Sequence, residues 1–419
     1  MKKKILVHGP ALSRSGYGEQ TRFAIRALRA HEDKFDIYLS NINWGATGWL
    51  YEDNEERQWM DQTLIKSQHY MMEKKPFDIS LQVTIPNEWE RYAPVNIGYT
   101  AGIETTKISP KWLEKTPVVD KMIVVSEHAK YGFDNTAYQT KDANGNVGSI
   151  KNTTPVDVVG YPVRDFEPEP LDLNLTTDFN FLAVAQWGPR KNLDNTILWF
   201  VEEFLDNENV GLVVKATIKS GCTMDRFWAK KRIENTLAKY PERKCKVYLL
   251  HGDMTDGEMT SLYRHPKIKS LVTLTHGEGY GLPIFEAAYN SLPIIAPNWS
   301  GQVDYLSMPI KSKGKKKRNT SMFSKVDYDI RPVQKEAVWK GVLEADSMWC
   351  FPTQGSYKIK LRDMYKNHKD HLSRARKLEK HIRTKHAPQV LYDQFVDSIL
   401  KALPESQVTN VVDGELVVL

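Results

Sequence analysis

With 419 residues, 41% of them hydrophobic and 26% charged, the chain has core material for two domains of ordinary size and lacks the composition of a disordered or fibrous protein. No run approaches the roughly 20 apolar residues of a membrane-spanning helix, which favours a cytoplasmic protein. The net charge of +6 is local, because Lys311–Arg318, KSKGKKKR, holds six basic residues and no acidic one while the rest of the chain balances.

Short apolar runs alternate with helical patterns from the start, the signature of parallel sheets built from β-α-β units. The opening MKKKILVHG has too short an apolar run for a secretory leader and reads as a first buried strand, Ile5–His8. Further strands are expected at Ile37–Leu39, Ile79–Val83, Val95–Tyr99, Met122–Ser126 and Val156–Gly160, with helices at about Glu19–Ala30 and Glu55–Glu73. Asp134–Thr154 reads as a surface excursion turning at Asn144-Gly145, and Pro162–Asp178, dense in Pro, Glu and Asp, as an interdomain linker.

A second alternating series follows. Its strands are Phe181–Ala185, Gly211–Lys215, Val247–Leu250, Ser270–Thr275 and Pro293–Ala296, and its helices lie near Asn192–Leu205, Cys222–Tyr240, Asp256–Tyr263, Pro283–Ala288 and Gln302–Leu306. Two doubly wound α/β domains are expected, 1–165 and 178–387, with ligands beyond the carboxyl ends of the strands in the cleft between them. Cys222, Cys245 and Cys350 lack metal-site or disulfide spacing and are expected as buried small hydrophobes. Asp327-Tyr-Asp329 lies in a polar, basic region rather than after a buried strand, so it does not read as a metal-binding Asp-x-Asp, and no metal site is expected.

The densest chemistry lies in Thr275–Pro297, THGEGYGLPIFEAAYNSLPIIAP, where seven residues separate Glu278 from Glu286. Glycines at 277, 279 and 281 allow close backbone approach, and a helix opening near Pro283 directs its positive end toward a ligand. Upstream, AVAQWGPRKNLDN sets Arg190 and Lys191 at a helix start, where the macrodipole prefers anions; a bound diphosphate would account for them. These motifs, with the following SLPIIAPNWSGQVDY, resemble the donor-sugar site of glycosyltransferase family 4, whose members are retaining enzymes of the two-domain GT-B fold.

The resemblance is strongest over Phe181–Tyr305 and much weaker before Gly98. It implies two Rossmann-like domains facing across a cleft, with a last helix at about 388–403 packing back on the first domain and a tail at 404–419. It implies that Glu278 approaches the transferred sugar, that Glu286 bonds the ribose hydroxyls, and that Lys191 neutralises the departing diphosphate. Gly279, Tyr280, Gly281 and Leu282 complete this donor loop. The glycine-arginine pair common earlier in the family's loop is absent, Gln186-Trp187 standing in that region, which leaves the arginine's task to Arg190 or Lys215. With these cations aimed at the leaving group, metal-independent catalysis and no cofactor beyond the nucleotide-sugar co-substrate, UDP- or GDP-linked, are expected.

On the acceptor side, Gly16 and Gly18 in SRSGYGEQTR resemble the glycine loop by which the family's first domain reaches the donor. Glu104, after the strand Val95–Tyr99, stands where many relatives have a sugar-contacting histidine, and reads either as the residue that orients or deprotonates the acceptor hydroxyl or as a structural carboxylate. Trp44, Trp49, Trp89 and Trp112 of the first domain suit core packing or stacking on a sugar or base. The basic segment reads as a solvated insertion or as an arm for phosphates, so the acceptor is either a glycan or a hydroxymethylated pyrimidine flipped out of DNA. A nucleotide-sugar epimerase of the same fold and a nucleic-acid-binding protein with a degenerate sugar site are the alternatives.

Overall fold

The computed structural model describes residues 2–141, 146–310 and 318–404. The turn at Asn144-Gly145, residues 311–317 of the basic segment and nearly all of the tail lie outside the described residues.

The first domain carries a six-stranded parallel sheet in the spatial order Phe35–Asn41, Lys3–Gly9, Ile79–Gln82, Val95–Thr100, Lys121–Val124, Val156–Val158. The second carries another, ordered Lys246–Leu250, Val210–Thr217, Phe179–Gln186, Ile268–Val272, Ile294–Pro297, Ser324–Val326. Their central strands are largely buried because helices cover both faces. Ile5, Ile79 and Ile97 are fully buried in one sheet, and Leu212, Phe181 and Ile295 in the other.

Helix starts follow local chemistry. Ser15 caps Gly16–Arg29 by accepting from Gly18 N at 3.0 Å. Ser126 caps Glu127–Asn135 through Ala129 N, and Thr255 with Glu258 forms a capping box on Asp256–Arg264. Before the last helix the chain forms two more, Gln354–Lys366 and His368–Lys385, broken at Asn367. The Asp134–Thr154 excursion forms a hairpin, Ala137–Lys141 against Val147–Lys151, and the expected Gln302–Leu306 helix is a single 3-10 turn, Gly301–Val303. Cys245 and Cys350 are buried, but Cys222 is exposed, because it sits at the cap of the helix Thr223–Leu237 outside the core.

Several contacts tie the two domains. The last helix, Pro388–Leu400, lies on Gly16–Arg29, where Phe395 packs 5.1 Å from Phe23 and 5.0 Å from Tyr99 between ring centroids. Tyr161 of the first domain packs against Tyr280 of the second, with ring centroids 4.9 Å apart and planes tilted by 60°. An excursion of the second domain, the hairpin Tyr328–Pro332 with Met348–Pro352, sends Val342 into the first-domain core beside Trp112, Leu113 and Phe133. Thr106 N donates to Met348 O at 2.8 Å and Ser109 Oγ to Gly341 O at 2.9 Å, so this excursion clasps the loop that carries Glu104.

Candidate functional site

In the second sheet the order in which strands are added reverses between Phe179–Gln186 and Ile268–Val272, and the loops leaving the carboxyl ends of these two parallel strands converge there. The first loop makes a 3-10 turn over Pro189–Lys191, and Asn192, at φ 50°, turns it into the helix Leu193–Glu203. Its left-handed conformation is held by a bond from Asn192 Nδ2 to Leu274 O at 3.1 Å. The second loop runs from Thr275 to Gly281, whose φ of +88° starts the helix Leu282–Tyr289.

These loops interlock around Glu278. Arg190 Nη1 donates to Glu278 Oε2 at 2.8 Å and to Gly277 O at 2.6 Å, while Lys191 Nζ donates to Glu278 Oε1 at 2.6 Å. Burial alone would raise the Glu278 pKa, but Arg190 and Lys191 outweigh it and hold the carboxyl at about 2. Burial acts against charge on Lys191, lowering its pKa. At Arg190 burial is outweighed by Glu104 and Glu278, so its pKa rises.

Glu104 reaches this cluster from the first domain, with its carboxylate 3.3 Å from Arg190. The approach depends on missing side chains. A Cβ on Gly277 would lie 2.7 Å from Glu104 O, and one on Gly279 would lie 2.7 Å from Ala101 O. The glycine loop is backed by Ser300 and Gly301: Ser300 Oγ accepts from Glu278 N at 2.8 Å, and a Cβ on Gly301 would fall 1.9 Å from Gly279 O. Tyr305 hydroxyl donates to the carbonyls of Tyr280 and Gly281 at 3.0 Å each.

A cavity of about 670 Å³ opens over the cluster, with walls from both domains. Gly279, Tyr280, Gly281, Leu282 and Glu286 line it together with Arg190, Lys191, Lys215, Glu278 and Glu104. Gly16 also lines it, whereas Gly18 lies beneath, where any Cβ would meet Ser13 O at 2.0 Å. Lys215 Nζ donates to Gly252 O, and burial lowers its pKa.

Glu286 differs from Glu278. Its Oε2 accepts from the Tyr263 hydroxyl at 2.7 Å, and no cation lies within ion-pair distance among the described residues. Burial pushes its pKa to about 7, with Asp256 and Glu19 adding to the rise and Tyr263 offsetting part of it. One carboxylate is thus ionised and the other half-protonated near neutrality, within a single cavity.

Several wall residues were not singled out from sequence. Arg14, Tyr17, Glu19, Arg164 and Tyr263 all face the cavity. Arg164, from the linker, bridges Glu19 of the first domain at 3.1 Å and Asp256 of the second at 3.2 Å. Of the first-domain tryptophans, Trp89 and Trp112 are buried in the core, Trp44 packs at a tilt against Tyr17, 4.4 Å between ring centroids, at the cavity wall, and Trp49 is 44% exposed. Asp329 pairs with Arg331 on the hairpin, and among the described residues no group of three or more His, Cys, Asp or Glu could hold a metal ion.

The whole chain superposes on solved two-domain structures. Sucrose-phosphate synthase from Thermosynechococcus elongatus matches with a TM-score of 0.61 at 10% identity, covering 96% of this chain and 99% of that one. The Anabaena protein Alr3699/HepE, solved in complex with UDP-glucose, matches with a TM-score of 0.56 at 10% identity, covering 95% and 100%. The fold is GT-B. A Rickettsia africae glycosyltransferase shares this GT-B architecture at 14% identity and a TM-score of 0.56, covering 97% and 100%. In sequence, the chain is 29% identical over 116 residues to the serotype-specific mannosyltransferase WbdA of Escherichia coli, a match that takes in 28% of this chain and 13% of that relative. No family model matches the chain. On this GT-B frame the Glu278 cluster stands at the facing edges of the two domains, held by Arg190 and Lys191 from one and Glu104 from the other.

Proposed function

We propose that this chain is a retaining glycosyltransferase, moving a sugar from a nucleotide diphosphate to an acceptor hydroxyl. The observation that carries the reading is the ionised Glu278, gripped by Arg190 and Lys191 in a two-domain cavity that Glu286 also lines. Arg190, Lys191 and Lys215 take the diphosphate, stabilising charge as it develops on the leaving group without need of a metal. Glu278 takes hydroxyls of the transferred sugar, and Glu286 those of the ribose. The acceptor hydroxyl attacks from the face that the diphosphate leaves. Glu104 holds Arg190 from the first domain and orients the acceptor.

The likeness to a mannosyltransferase favours a mannosyl donor as the first to test, and the UDP-glucose-bound neighbour a glucosyl donor as the second. Acceptors divide into glycans and hydroxymethylated pyrimidines in DNA. The deciding experiment is turnover of UDP-, GDP- and ADP-sugars with and without hydroxymethylcytosine-containing duplex, following nucleotide release and DNA mass together. A hexose-sized gain on the DNA fixes both chemistry and acceptor, and nucleotide release alone directs the search to glycans. Interconversion of donors without acceptor replaces the reading with an epimerase, and no release from any donor refutes it.

A further inference from the structure

The helix Thr223–Leu237 leaves a second feature that the cleft chemistry does not use. Its inner face, Asp225, Ala229, Ile233 and Leu237, is buried. At about 100° per residue, Met224, Phe227 and Trp228 fall on the opposite face. They are 63%, 55% and 50% exposed, and the Phe227 and Trp228 rings lie 5.3 Å apart. An exposed stripe of three large apolar side chains is unusual on a folded surface unless something covers it.

Cations surround the stripe. Lys231 sits 5.3 Å over the Trp228 ring, with exposed Lys230 on one flank and Arg232 on the other. Arg232 is engaged by Asp194 and Lys230 loosely by Glu234, but Lys231 has no carboxylate partner among the described residues. The acid of the first turn, Asp225, is spent inward. It accepts from the backbone N–H groups of Ile218, Lys219 and Ser220, and from His251 at 2.7 Å. Those bonds fasten the helix start to the end of the strand Val210–Thr217, whose Ala216 and Thr217 line the cleft.

We propose that this helix docks the protein on an anionic lipid surface, with Met224, Phe227 and Trp228 entering the headgroup boundary and Lys230 and Lys231 meeting lipid phosphates. An apolar stripe bordered by Lys and Arg, aromatic-rich and on a helix otherwise anchored in the fold, has the pattern of interfacial insertion. A second copy of the chain fits poorly, since a two-fold contact would set these cations against their own duplicates. Duplex DNA would satisfy the cations but offers no apolar partner to the stripe.

The test is co-sedimentation of the full chain with phosphatidylcholine vesicles and with vesicles containing phosphatidylglycerol, at low and high salt. Binding to the anionic vesicles is expected, weakening as salt rises. Lys230→Gln with Lys231→Gln should weaken it about thirtyfold, and Met224→Ser with Phe227→Ser and Trp228→Ser should abolish it. All five positions are exposed, so unchanged melting temperatures would separate lost docking from lost folding. Failure to bind anionic vesicles, or binding that survives the apolar variant, overturns the proposal. So does DNA binding without vesicle binding, or a concentration-dependent dimer that the apolar variant abolishes.

Discussion

Replacing Glu286 with glutamine should stabilise the protein, and only above a definite pH. Burial raises the carboxyl of Glu286 from 4.5 to about 7, so the folded state favours the protonated form. The stability linked to that proton is fully present below about pH 4.5 and is lost as the pH climbs through 7, reaching about 3 kcal/mol. Glutamine never ionises and keeps an acceptor for the Tyr263 hydroxyl, so it escapes this loss. The difference in melting temperature, variant minus parent, is therefore expected near zero at pH 4.5 and about 3–4 °C at pH 8.5. Differential scanning calorimetry across this range measures it, and other titrating groups cancel in the difference. A difference that stays flat from pH 4.5 to 8.5 would refute the assignment of a buried, proton-holding Glu286. The same variant should bind a nucleotide donor more weakly at pH 8, having lost the charge proposed to take the ribose hydroxyls.

Arg190→Ala should lower turnover of the preferred donor by about 10²–10³-fold in kcat, read from nucleotide release, because it removes charge stabilisation at the leaving group. Glu104→Gln should depress transfer to the acceptor while donor hydrolysis persists; an unchanged transfer rate would remove Glu104 from the reaction. Gly301→Ala has no room for its methyl group, 1.9 Å from Gly279 O, and should destabilise by several kcal/mol in a thermal melt.

Most strands of both sheets were legible because they are short and largely apolar, though the edge strand Ser324–Val326, SKV, was not, and the donor loop was legible because glycines and charged residues there serve no ordinary turn. The strands outside those sheets were not. Arg318–Ser321 pairs with Ser307–Ile310 although Arg318, Asn319 and Thr320 are all exposed, so no apolar alternation marks it. The support under the glycine loop was also hidden, since Ser300-Gly301 reads as any turn until Gly279 is seen pressed against it. Glu278 and Glu286 look alike in sequence. What separates them comes from residues far along the chain, Arg190 and Lys191 for one and Tyr263 and Asp256 for the other. Protonation is set by neighbours that only the fold assembles.

Charge balance in the cleft leads to one more test. Arg190 and Lys191 are matched by Glu104 and Glu278 within ion-pair distance, so a diphosphate must compete with two carboxylates for them. Lys215 is less committed. Its ammonium is bonded to the Gly252 carbonyl, with the fields of Asp253 and Glu258 favouring its charge and that of Arg14, across the cleft, opposing it. Adding a dianion near Lys215 and Arg14 relieves that repulsion, whereas adding it at Lys191 disrupts an existing pair. Lys215→Ala should accordingly weaken nucleotide diphosphate binding about 10–100-fold in calorimetric titration and leave the melting temperature nearly unchanged. Lys191→Ala should instead destabilise by about 3 kcal/mol, because it strips a partner from the buried Glu278 carboxylate. Equal effects of the two variants on binding and melting would mean that the diphosphate does not sense this division of charge.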